Sequence, residues 1–211
     1  IRTMGFRGEA MASMAAISQL ELKTKLDQKE LGTKLIVEGS KLKSQENCVI
    51  NNGTSISIKN LFFNVPARRN FLKSDNVELK HIIDEFQRMA LAHSECAMSF
   101  FHNDKEIFNL TPSSLKQRIV GIFGNRYNEK LVPVKEETSL VVVNGFVGKP
   151  EFSKKTRGEQ FFFVNQRFIK SGYLHHAISN AFQDLVAEKH HPSYFLFFEI
   201  DPKFIDVNIH P

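Results

Sequence analysis

Three features of the sequence predict an α+β fold in two domains. Short segments alternate apolar and polar residues at the period of strands, apolar spacing characteristic of helices recurs at a few separate places, and the two do not combine into a strict βαβ repeat. A cluster of Pro and small polar residues, Thr111-Pro112-Ser113-Ser114, then separates one such set from another. The 211 residues accommodate two modest domains, since domains most often run to roughly 100–150 residues. The boundaries read as 1–111 and 112–211.

The elements follow in order. Residues 9–18 (EAMASMAAIS) are rich in Ala and Met and follow Gly8, so a helix starts at or just after that glycine. Leu20, Leu22, Thr24 and Leu26 alternate with Glu21, Lys23 and Lys25, the pattern of a strand buried on one face. Further strands are predicted at 33–38, 47–50 and 54–59, the last two joined at Asn51-Asn52-Gly53, so that the strands form an antiparallel meander. From the cap Ser74-Asp75, the apolar positions Val77, Leu79, Ile82, Ile83, Phe86, Met89 and Ala90 predict an amphipathic helix over 76–92 that serves core packing. Residues 98–102 and 106–110 flank Asn103-Asp104-Lys105 as a hairpin. The second domain begins with a helix over 115–123 and continues with strands at 130–134, 139–147 and 160–165. A long helix over 173–188 and a strand at 194–200 complete it, giving a mixed sheet with helices on one side.

Lys and Arg number 28 against 23 Asp and Glu, a formal charge of +5. That permits contact with a polyanion without establishing it. With only Cys48 and Cys96, and no CxxC pair, neither a disulfide framework nor a zinc site is suggested, and a reducing compartment fits best. No apolar run reaches the roughly 18–20 residues that span a bilayer, so the chain reads as soluble and intracellular. It opens at Ile1 without Met and runs into a glycine-bracketed loop. It is therefore expected to lack its natural beginning and to expose a sheet edge.

Two constellations can carry chemistry. Gly5-Phe6-Arg7-Gly8-Glu9-Ala10 opens onto a helix. Glycines let backbone approach an anion, and the free N–H groups and dipole of a first helical turn favour negative charge, so phosphate is the natural guest. An ordinary loop-to-helix junction has the same pattern, and neither the Rossmann nor the P-loop spacing is present. Asn60-Leu61-Phe62-Phe63-Asn64-Val65-Pro66-Ala67-Arg68-Arg69 places Pro66 at a helix start with Asn64 as its cap. Arg68 and Arg69 then fall in a first turn, where cations are disfavoured unless an anion is near; a solvated or salt-bridged Arg pair is the alternative. His175-His176 and His190-His191 show no metal-ligand spacing, and the Phe runs at 161–163 and 195–198 read as buried strands.

GFRGEA at 5–10, GTSISIKNLFFNVPARRNFL at 53–72, FFFVNQRFIK at 161–170 and EIDPKFIDVNIHP at 199–211 occur in an order and spacing that closely resembles the N-terminal region of the MutL family of DNA mismatch repair proteins. The resemblance covers nearly the whole chain. It implies part of an ATPase domain of the GHKL type shared with gyrase B, Hsp90 and histidine kinases, an antiparallel sheet backed by helices, followed by a ribosomal-protein-S5-like transducer domain. By the same resemblance, Gly5, Phe6, Arg7, Gly8, Glu9 and Ala10 look like the ATP-lid hinge and the helix start that holds the triphosphate. The resemblance also implies that Thr54 would lie beside the adenine. Arg68, Arg69, Arg167 and Lys170 become candidate DNA contacts, although Gly172 and Tyr173 stand where some relatives carry another Arg.

The implied cofactors are ATP and Mg2+. The family's general-base Glu, Mg2+-binding Asn, adenine-reading Asp and phosphate-contacting Lys match no position of this chain, so the chain alone is expected to be catalytically inactive. The implied partners are DNA, a mismatch-recognition protein of the MutS type, and a second copy in bacteria or a related chain in eukaryotes, with no membrane. Localisation would be cytoplasmic in a bacterium and nuclear in a eukaryote. Two rival readings are a non-enzymatic DNA-binding or protein-interaction module, and a type II topoisomerase subunit, which the NVPARR and DVNIHP segments fit less well.

Overall fold

The computed structural model describes residues 8–205. Gly5, Phe6, Arg7 and the DVNIHP segment lie outside the described residues. Two compact units divide between Glu78 and Leu79, within a helix that runs from Asp75 to Ala92.

The first unit contains helix α1 (Ala10–Ile17), strands β1 (Gln19–Lys25), β2 (Gly32–Glu38), β3 (Lys41–Cys48) and β4 (Gly53–Lys59), and helix α2 (Pro66–Asn70). It ends with the first residues of α3 (Asp75–Ala92). The strands form one antiparallel sheet in the order β3-β2-β1-β4. Leu20 pairs with Val37 and Ile58, and Leu22 with Leu35 and Ile56, so the alternation in β1 is matched across three strands as one apolar face. Helix α1 packs on β1 and β2.

The meander expectation is corrected here. β3 and β4 occupy opposite edges of the sheet, and the hairpin joins β2 to β3 through Gly39 and Ser40, both at positive φ (53° and 66°). That pair supplies the twist a two-residue turn needs. Asn51-Asn52-Gly53 instead belongs to the crossover from one edge to the other, where the Asn52 amide donates to the Asp27 carboxylate. An apolar partner for Leu20 and Leu22 is what places β4 beside β1.

The second unit holds most of α3, the hairpin β5 (Met98–His102) and β6 (Lys105–Leu110), and helices α4 (Leu115–Phe123) and α5 (Tyr127–Lys130). Strands β7 (Leu131–Glu137), β8 (Val141–Gly148), β9 (Gln160–Val164) and β10 (Arg167–Ile169) follow, then helix α6 (Gly172–Ala181) and strand β11 (Tyr194–Ile200). The five strands run β10-β9-β11-β8-β7, with β9 and β11 parallel and the remaining pairs antiparallel.

Helices lie on both faces of this sheet, against the one-sided expectation. Phe161, Phe163 and Phe195 pack with Leu91 of α3 and Ile119 of α4 on one face. Phe162, Tyr194 and Leu196 pack against Leu174 and Ile178 of α6 on the other. An unbroken run such as Phe161-Phe162-Phe163 requires this, because successive strand residues face opposite sides and all three are at most 5% exposed.

Helix α4 begins with a capping box: the Ser114 hydroxyl accepts from Gln117 N–H and the Gln117 side chain accepts from Ser114 N–H. The long helix expected over 173–188 ends at Ala181 and continues as turns. Beyond Ile178 there is little left to bury, as Leu185 is 61% exposed, and helices of this length depend on an apolar face to persist.

Candidate nucleotide-phosphate and nucleic-acid sites

Gly8 stands at φ 69° immediately before Glu9 and α1. A Cβ there would meet no atom within 4 Å, so backbone conformation and not crowding is what calls for glycine. Glu9 is the residue that precedes the helix and its side chain makes no capping bond, whereas the sequence reading put it inside the first turn.

The other end of α1 is tied down unusually fully. Its last carbonyls, on Ala15, Ala16 and Ile17, accept from Ser40 N–H at 3.0 Å, the Asn64 side-chain amide at 2.8 Å and Phe62 N–H at 2.7 Å. Groups that a helix C-terminus leaves unpaired are thus satisfied by the β2–β3 turn and by the NLFFN segment. The Asn64 amide is committed to this bond, and Val65 occupies the N-cap of α2 without a side-chain cap. The expectation of Asn64 as cap is therefore corrected: it anchors α1.

Thr54, the second residue of β4, lies opposite Thr24 of β1, with the two hydroxyls 2.9 Å apart. Arg68 and Arg69 are exposed. Because α2 spans only Pro66–Asn70, they form its last turn, where Phe71 N–H and Leu72 N–H bond their carbonyls. Cations are favoured there, so the two Arg positions require no nearby anion, against the expectation from a first-turn placement.

In the second unit, Asn165 and Gln166 form the β9–β10 turn, both at positive φ (47° and 66°). Asn165 donates from its amide to the Ile200 carbonyl at 2.8 Å and accepts from Ile200 N–H at 3.0 Å. The turn is thereby pinned to the end of β11, two residues before Arg167. Arg167 lies in β10, a strand not among those expected between 165 and 173, and exposed Lys170 follows it.

These two residues, with Gln166 and Phe168, line a groove of about 570 Å³ shared with Glu85, Arg88 and Met89 of α3. The Arg88 guanidinium lies 4.2 Å from the Phe168 ring centroid and pairs with the Glu85 carboxylate. Sequence reading assigned this helix to packing alone and missed Arg88. The available signal was the Glu85–Arg88 pair at i, i+3, alternating with the apolar positions Phe86 and Met89.

Arg118 of α4 is buried at 1% exposure and donates to the carbonyls of Ser94 and Cys96 at 2.7 and 2.5 Å. Burial lowers its pKa, against the opposing pull of Cys96 and Glu95. His175 Nδ1 lies 2.8 Å from the Tyr194 hydroxyl. Burial first, and the charge of Arg157 second, lower the pKa of His175 and His191, while burial pushes Tyr194 up to about 12. Among the described residues, no group of three or more His, Cys, Asp and Glu side chains is placed to hold a metal ion.

Gly8–Ala10, Thr54, Arg68 and Arg69 belong to one unit, and Arg167 and Lys170 to the other. No described helix is long and apolar enough to cross a membrane.

The fold is that of GHKL ATPases. The chain superposes on the Aquifex aeolicus MutL ATPase domain complexed with ADP with a TM-score of 0.74 and 24% identity, covering 92% of this chain and 72% of that one. The B-subunit of the DNA gyrase from Myxococcus xanthus gives a TM-score of 0.53 at 11% identity, covering 94% and 61%. Residues 119–211 match the family model described as DNA mismatch repair protein, C-terminal domain. The MutL of Flavobacterium psychrophilum is 62% identical over all 211 residues and that of Bacteroides fragilis 51%, each alignment spanning 34% of the relative. Over its whole length the chain is similar to MutL DNA mismatch repair proteins, and it spans about a third of the length of the curated relatives it matches.

Proposed function

We propose that this chain supplies part of the ATP-binding module of a MutL-type DNA mismatch repair protein, which couples ATP binding and hydrolysis to dimerisation and to signalling with a MutS-type partner on DNA. Residues 1–111 would be ATPase-domain sequence and 112–211 an S5-like transducer domain. The observation that carries the reading is the start of α1. Gly8 in the left-handed region delivers the chain to a helix whose far end is held by three hydrogen bonds. The first-turn N–H groups are thus fixed in place before any ligand arrives, which suits phosphate oxygens. The Aquifex aeolicus domain that shares this fold is complexed with ADP, which supports nucleotide binding by the module.

In this reading Gly5 to Ala10 hold the triphosphate, Thr54 lies near the adenine, and Mg2+ neutralises the phosphates. No residue of this chain is assigned as general base or metal ligand, so hydrolysis belongs to the longer protein. Arg68, Arg69, Arg167 and Lys170 contact DNA phosphates without reading sequence. The protein would act as a homodimer in the cytoplasm of a bacterium.

The test is a chimera in which these 211 residues replace the matching third of the Flavobacterium psychrophilum relative. Calorimetry should give saturable ATP binding, weakened at least roughly tenfold by Gly8→Val, which combines backbone strain with bulk. A folded chimera with no saturable ATP binding would overturn the reading.

A further inference from the structure

The groove of the second unit brings three cations, Arg88, Arg167 and Lys170, together with one carboxylate, Glu85. Arg88 is held from two sides, by the Phe168 ring beneath its guanidinium and by Glu85 at Nη1. The partners differ in freedom: the Arg88 side chain is 21% exposed and that of Glu85 is 69% exposed. Glu85 is thus the member that can swing away, while stacking on Phe168 keeps Arg88 where it is.

We propose that Arg88 is a further DNA-backbone contact in this groove and that Glu85 is an internal competitor, holding Arg88 until a phosphodiester displaces it. The proposal rests on the reading of Arg167 and Lys170 as DNA contacts and extends it to α3. A guanidinium stacked on a ring keeps its N–H groups in plane, the arrangement that meets phosphate oxygens two at a time. The groove floor is already ordered, since the Asn165 bonds to Ile200 fix the turn that leads into Arg167. An exposed carboxylate–guanidinium pair is weak, so phosphate can replace it. The same carboxylate also repels an approaching phosphate, which adds to its opposition.

The experiment measures binding of a fluorescein-labelled DNA duplex by anisotropy across a salt series, using the 211-residue chain and its variants. Thermal melts confirm that each variant is folded. Glu85→Gln should bind roughly two- to fivefold tighter. Arg88→Gln should bind more weakly, with the slope of log affinity against log salt reduced by about 0.9. Arg88→Lys, which keeps the charge and loses the planar stack, should retain the slope and lose affinity. In the Arg88→Gln background, Glu85→Gln should lose most of its gain, because the competitor acts through Arg88.

If Arg167→Ala/Lys170→Ala weakens binding while Glu85→Gln and Arg88→Gln do nothing, the competitor idea fails and the DNA reading stands. If the chain shows no salt-dependent DNA binding, both fail.

Discussion

Asn165 completes a strand ladder with its side chain, donating to the Ile200 carbonyl at 2.8 Å and accepting from Ile200 N–H at 3.0 Å. Its own backbone N–H bonds Phe198 O at 2.9 Å. One residue thereby ends β9, closes the turn to β10 and holds that turn against β11. Asn165→Ala should cost about 2–3 kcal/mol, combining two lost hydrogen bonds with a non-glycine residue at φ 47°. Asn165→Gly removes the bonds and relieves the backbone, so urea denaturation should place it between wild type and Ala. Equal losses for the two variants would assign the whole effect to the hydrogen bonds.

The apolar alternation of β1 was legible because Leu20 and Leu22 have partners on both sides, and local pattern and sheet pairing agree. The edge order was not. Asn51-Asn52-Gly53 has the composition of a hairpin turn, yet β4 pairs with β1 because Ile56 and Ile58 continue the apolar face there, a long-range choice that local composition does not encode. For the site, the glycine loop and the NVPARR and FVNQRFIK segments enter as candidates through resemblance, because local composition alone fits an ordinary turn or a solvated Arg pair equally well. Arg88 was hidden because its helix already had an explanation in Phe86 and Met89, and its neighbour Phe168 lies 80 residues away in sequence, by the difference of the two numbers.

Arg118 is a buried cation whose value lies in the carbonyls it holds. Its Nη2 bonds Ser94 and Cys96, beyond the end of α3, while Nε and Nη1 have no hydrogen-bond partner among the described residues. A buried charge keeps its desolvation cost however few bonds it makes. Arg118→Lys should therefore be at least as destabilising as Arg118→Met, each by about 2–4 kcal/mol in denaturant titrations. A well-tolerated Lys with a poorly tolerated Met would show instead that positive charge is what the position requires.

Gly145 sits in β8 opposite Leu196 of β11 at φ 141°. A Cβ at this position would lie 2.0 Å from the Phe195 carbonyl oxygen, which is backbone and cannot rotate away. Gly145→Ala should consequently separate β8 from β11 locally and cost about 3 kcal/mol or more. Faster amide exchange at Leu196 and its neighbours would be the local sign. Unchanged exchange there, with a global loss of stability, would place the strain elsewhere.

His175 and His191, whose rings are 6.5 Å apart, give the second unit a pH dependence of defined sign. Burial disfavours the imidazolium of each, and Arg157 adds like-charge repulsion, so both pKa values fall below the ordinary 6.5. The unfolded chain then binds protons that the folded chain resists. Above the unfolded value neither state is protonated and stability is flat; as pH falls below about 6.5, stability is lost until the folded-state values are passed. The melting temperature should hold between pH 8 and 7 and decline between about pH 6.5 and 5, before most carboxylates titrate. His175→Gln keeps a hydrogen-bonding partner for the Tyr194 hydroxyl and removes one titrating ring. It should therefore flatten that decline without abolishing it, since His191 remains. A slope unchanged by His175→Gln and by His191→Gln would assign the acid sensitivity to other groups.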